Sequence, residues 1–220
     1  MLKDIKLGFK LLRYGYKLKL NVIMLVFFAI FGIASEIFSK GTSIIGGVYF
    51  MMSGMFTFQL IMSMDVSELI QSTSLKKKLQ IYIPVLASTV INLILFTIFV
   101  VERVVLIQMG VADKTQIIYT LFMLDVILLI TYLYTSICYK YFVLGFILFM
   151  VMFMAAFMAL DNSAFMGFAD TIAALGLPVI ALFGYIAIFV GGALEILIGE
   201  LLYKKPLSEF AFMGFFRDAK

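Results

Sequence analysis

The 220-residue sequence contains no histidine and no tryptophan, and its single cysteine is Cys138. Without histidine it lacks the commonest general base and metal ligand. One cysteine excludes an internal disulfide and any cysteine-based metal cluster. Without tryptophan, anchoring at a membrane surface falls to the 11 tyrosines and to phenylalanine. Charge is scarce as well: 14% of residues are charged and 64% are hydrophobic, which excludes a soluble domain. The catalytic motifs are missing too. There is no His-Glu-x-x-His, no Gly-x-Ser-x-Gly with a histidine partner, no paired buried acids and no Gly-x-x-x-x-Gly-Lys phosphate loop. An enzyme is not expected, and no metal or cofactor site is apparent in this chain.

What the chain does have is apolar length. A bilayer core about 30 Å thick takes about 20 apolar residues per helix. Six stretches qualify, at 20–38, 43–64, 80–101, 117–138, 142–160 and 176–198. The expected fold is therefore all-α, a polytopic membrane protein of six transmembrane helices. It forms one unit over 1–220: an interfacial helix at 1–19, a six-span bundle at 20–198 and a cytoplasmic tail at 199–220. Gly32-Ile33-Ala34 resembles a signal-cleavage site, but the long amphipathic stretch before it argues against cleavage.

Basic residues set the orientation. With both termini cytoplasmic, 14 of the 17 lysines and arginines fall inside, and only Lys40, Arg103 and Lys114 fall outside. The net charge of +4 thus reflects membrane orientation, and no nucleic-acid partner is expected.

Lys3, Lys6, Lys10, Arg13 and Lys17 recur at spacings of 3, 4, 3 and 4. On a helix they share one arc of about 80°, with Ile5, Phe9, Leu12 and Tyr16 on the other side. Such a helix lies on the inner leaflet with its lysines over anionic headgroups. A second short helix is expected at 65–78, between spans 2 and 3. Val66, Leu69 and Ile70 share a face, Asp65 and Glu68 begin it, and Lys76, Lys77 and Lys78 end it, in keeping with the helix dipole. Its acidic start suits a protein socket better than anionic lipid.

Inside the bundle, Ser53 and Thr57, and Ala187 and Gly191, have the small-xxx-small spacing that lets helices approach closely. Span 3 buries Ser88 and Asn92 one turn apart. Pro84 and Pro178 stand in first turns, where proline is tolerated. Asp125 is the one acid well inside a span, on one face with Tyr132, Ser136 and Tyr139; an ionisable group there faces the bundle interior or a water-filled path. Glu102 and Arg103 are expected in an external loop at 102–116, and Glu36 at the outer end of span 1. Glu195 is expected near the inner end of span 6, within reach of headgroups or a lysine. The semi-apolar run at 161–175 is too short to cross and is expected to dip into the outer leaflet. An ion-coupled secondary transporter centred on Asp125 is one reading of this layout.

The other rests on a resemblance. The string Leu69-Ile-Gln-Ser-Thr-Ser-Leu-Lys-Lys-Lys78, leading into span 3 of a six-span chain with a basic N-terminal helix and a dipping segment between spans 5 and 6, resembles the membrane subunit of an ABC-2-type ABC exporter. Ser74 stands where that family usually has proline. The small size is similar to stand-alone permeases of bacterial peptide exporters of the phenol-soluble-modulin type. The resemblance implies a bacterial cytoplasmic-membrane location and a complex with a separate ABC ATPase subunit, which would bind ATP and Mg. It also implies a second membrane subunit, in a homodimer or heterodimer. Asp65, Val66, Glu68, Leu69, Ile70, Ser72 and Thr73 would then dock the ATPase. Spans 2 and 5 would line a path for amphipathic peptide or hydrophobic cargo, through Met55, Phe56, Phe58, Met62, Phe149, Met152 and Phe153.

Overall fold

A computed structural model describes residues 18–52, 74–138 and 163–205, together with Lys6, Leu7, Lys10 and scattered residues between 141 and 158. Helices, joined by turns, account for these residues; there is no strand among them. The elements are α1 (Leu18–Ser39), α2 (residues 44–52), α3 (Ile83–Gln108), α4 (Lys114–Cys138), α5 (Ser163–Leu175) and α6 (Leu177–Leu202). A π-helical turn at Lys78–Tyr82 leads directly into α3. Where described, the residues between 144 and 158 are helical too.

Four helices are long and apolar enough to cross a membrane: Val22–Ser39, Lys78–Gln108, Lys114–Thr135 and Leu177–Leu202. They correspond to spans 1, 3, 4 and 6 of the sequence reading. Helices suit such a solvent because they satisfy every backbone polar group internally. Spans 2 and 5 lie mostly outside the described residues. So do the docking residues Asp65, Val66, Glu68, Leu69, Ile70, Ser72 and Thr73, the surface-helix residues Lys3, Arg13 and Lys17, and the path residues Met55, Phe56, Phe58, Met62, Phe149 and Phe153. Lys6, Lys10 and Met152 are described, and all three are helical and exposed.

Three helix boundaries differ from expectation. The third span runs on to Gln108, so Glu102 and Arg103 lie within a helix and not in a loop. The apolar run Val104-Val-Leu-Ile107 continues the helix, and the charge of Arg103 is compensated internally. Lys76 and Lys77 are already helical and continue into the π turn, so the three lysines open the third span instead of closing a separate helix. Pro84 explains the π turn. Proline has no N–H to donate, and its ring crowds the carbonyl four residues back. Just before it, the Ile83 amide reaches back to the Lys78 carbonyl, one residue further than in an α-helix. The third change is α6, which extends to Leu202. Its start matches expectation, with Pro178 in the first turn after Gly176, whose φ is +83°.

The corner between α1 and α2 needs left-handed backbone at Lys40 (φ 55°) and Gly41 (φ 75°). Gly41 N–H donates to the Glu36 carbonyl at 3.1 Å, closing the last turn of α1. Only glycine fits here, because a Cβ would also run into Arg103 and Leu106. Asp113 starts α4 as an N-cap, its carboxylate accepting the Thr115 amide at 3.3 Å.

α4 is the central helix: 67% of its most apolar stretch is buried, against 11% for α1. It packs most extensively on α6, and α3 packs on α6 from a second side. Phe96, Leu121, Leu124, Ile180 and Ile188 are fully enclosed among these helices. The apolar run after span 5 forms α5, which lies against α4 through buried Ala169 and Ile172. Phe27, Ile30, Phe31, Ile37 and Phe38 of α1 remain exposed.

Candidate functional site: a polar line along the fourth span

Six of the eight buried polar or charged side chains among the described residues, Glu36, Arg103, Thr120, Asp125, Thr135 and Glu195, lie on or against α4; Gln80 and Ser88 are buried on the third span. From Thr120 to Thr135 the helix rises about 22 Å, most of an apolar core about 30 Å thick.

At the Thr120 end sits Arg103, fully buried. Its Nη2 lies 2.7 Å from Glu36 Oε2 and its Nε lies 3.6 Å from Glu102 Oε2. Its Nη1 donates to the Gly41 carbonyl, which also accepts Thr120 Oγ1 at 3.2 Å. The guanidinium stacks over the Phe99 ring with its carbon 4.4 Å from the centroid. Gly46 leaves the room that Glu36 occupies. One cation, two carboxylates and one carbonyl thus tie α1, α3 and α4 together at this end of the bundle.

Asp125 follows, 4% exposed, at the interface with α6. Neither carboxyl oxygen has a hydrogen-bond partner. Its neighbours are the Phe96 ring and Gly184, and any side chain at Gly184 would collide with both. Two turns on, the Tyr132 hydroxyl accepts a hydrogen bond from Asn92 Nδ2 at 2.9 Å, with its ring packed against Gly191. Then Thr135 Oγ1 donates to Glu195 Oε1 at 3.0 Å, leaving Glu195 Oε2 without a partner. Beyond the line, where α3 begins and α6 ends, Lys77 Nζ pairs with Glu200 at 2.8 Å and the Tyr82 hydroxyl donates to the same carboxylate. Glu200 beside it raises the Lys77 ammonium above its ordinary range.

Asp125 and Tyr132 are both buried and face α6, as their spacing implies; the Ser136 side chain and Tyr139 lie outside the described residues. Asn92, expected to be buried, is part-buried and donates to Tyr132. Glu195 corrects the expectation: it is 3% exposed, buried between helices and bonded to Thr135. Asp125 is therefore not the lone buried acid. The Glu36–Arg103 pair was missed, although an arginine flanked by Val100-Val101 and Val104-Val105 is a signal that it must be compensated.

Among the described residues no group of three or more His, Cys, Asp or Glu side chains can hold a metal ion. Chemically, besides the ion-paired Glu36, the line offers two carboxyl groups with unpartnered oxygens, Asp125 and Glu195, spaced along the α4–α6 interface. No protein-family model, curated protein or solved structure matches this chain. The four long apolar helices make it a membrane-embedded, helical protein.

Proposed function

We propose that this chain is the membrane subunit of an ATP-driven exporter of the ABC-2 type. It has six spans with both termini cytoplasmic and works with a separate ATPase subunit and a second membrane subunit. The cargo class is amphipathic peptide or other hydrophobic molecules, moving along the Met- and Phe-rich second and fifth spans in the bacterial cytoplasmic membrane.

The observation that carries this reading is the bracing of the segment that follows 65–73. Lys77 and Tyr82, at the start of the third span, both grip Glu200 at the end of the sixth. α6 in turn packs on α4. A push delivered to 65–78 by a closing ATPase pair would therefore move α3 and α6 together and reach the bundle centre.

A tagged chain purified in mild detergent from its native membrane tests this. A stoichiometric ATPase with a Gly-x-x-x-x-Gly-Lys motif should co-purify, and D65K/E68K should lose it while inserting normally. If no ATPase is retained under conditions that hold a known ABC complex together, the reading falls.

A second reading is favoured by the polar line. Asp125 and Glu195, each with an unpartnered oxygen, lie where an ion-coupled carrier would keep its ionisable groups. That reading expects transport without a bound ATPase, abolished by D125N.

A further inference from the structure

Five lysines meet where α3 begins and α6 ends. Lys76, Lys77 and Lys78 come from one strand of chain, Lys204 and Lys205 from the other. The two ends are held in register: Lys76 Nζ lies 5.8 Å from the centre of the Tyr203 ring, and Ile81 lies against Gly199. The carboxylate within the cluster, Glu200, is already taken by Lys77 and Tyr82. Lys76, Lys204 and Lys205 therefore keep a positive excess at the patch among the described residues.

Beside the charge lies exposed apolar surface. Leu197 and Leu201 are one turn apart on α6, 56% and 71% exposed, and Leu75 is 55% exposed at the start of the other segment. Lys204 and Lys205 follow Leu201 by three and four residues. The exposed leucines at the end of α6 are thus followed directly by the lysines of the turn after it, with Tyr82 and Tyr203 close by, where amphipathic rings prefer to lie.

We propose that this junction is a binding site for an anionic phospholipid, with its headgroup phosphate on Lys76, Lys204 and Lys205 and an acyl chain along Leu197 and Leu201. A free phosphate or a nucleic acid would use the lysines and leave the leucine face uncovered. A phospholipid uses both, and basic pockets between span ends at a membrane surface suit such headgroups. The site stands apart from either transport reading, since it needs only the contact between these two helix ends.

The test is native mass spectrometry of the delipidated full chain titrated with phosphatidylglycerol or phosphatidylcholine. Phosphatidylglycerol should bind more tightly, and K76Q/K204Q/K205Q should lose more than tenfold of that preference, each lysine being worth roughly fivefold at a charged surface. K76R/K204R/K205R should retain it, and K40Q/K114Q, at the opposite end of the bundle, should not change it. Equal binding of the two lipids would overturn the proposal, and so would an unaffected triple glutamine variant. Displacement of phosphatidylglycerol by millimolar inorganic phosphate would overturn it too, showing a phosphate site without a lipid component.

Discussion

Replacing Arg103 by methionine removes the one cation that faces Glu36 among the described residues. Both side chains are essentially enclosed, at 0% and 4% exposure. Breaking a buried ion pair from one side costs about 3–5 kcal/mol, because the surviving charge has neither water nor partner. Removing both charges together is far cheaper, and often neutral, because the cost of burying them disappears as well. The Gly41 carbonyl keeps Thr120 as a donor in every variant, so the backbone corner is not orphaned. R103M should therefore destabilise strongly, and R103M/E36M should recover most of the loss. A third variant sharpens the arithmetic. Guanidinium holds its charge throughout, so E36Q leaves it to Glu102, 3.6 Å away, and E36Q/E102Q leaves it with no carboxylate at all. The order of stability should run from R103M/E36M, through E36Q, to E36Q/E102Q as the weakest. Thermal loss of the monodisperse peak of a fluorescent-protein fusion, followed by size-exclusion chromatography in detergent, measures that order. Additive effects for R103M and E36M would refute the coupling, because a buried pair must show a large interaction energy in the cycle.

The same assay addresses the α4–α6 interface. G184V should destabilise by about 1–3 kcal/mol, since its side chain must displace the Phe96 ring and the Asp125 carboxyl. G199A should be milder, because only the Ile81 side chain stands near the new methyl. Y132F takes the acceptor from Asn92; interhelical hydrogen bonds in membranes average about 0.6 kcal/mol and reach about 1.7, and N92L/Y132F should cost less than the two single changes summed. T135V should fall in the same range through its bond to Glu195.

Length and hydropathy alone made spans 1, 3, 4 and 6 legible, and helical spacing placed Asp125 and Tyr132 on a buried face. Pro178 likewise acts locally, within a turn of itself. Arg103 was misread because two adjacent charges at the end of an apolar run look like a loop, and what keeps the helix going is a carboxylate from another helix. Glu195 was misread for the same reason: its partner Thr135 is 60 residues away, and no window along the chain contains both. Partnerships between helices are set by which faces meet, and local periodicity does not carry that information.

The π turn ahead of Pro84 has a consequence for the charges beyond it. One extra residue in a turn rotates everything on its N-terminal side by about 100° relative to an unbroken α-helix. Lys77 meets Glu200 with that offset already included. Deleting one residue from 78–82 together with P84A would restore a regular helix and leave the membrane-facing side of α3 as it is. It would also swing the lysines about a quarter turn round the axis. The wide turn thus acts as a phase shifter: the aim of the basic end and the buried face of the span can change independently, one by insertion or deletion and the other by substitution.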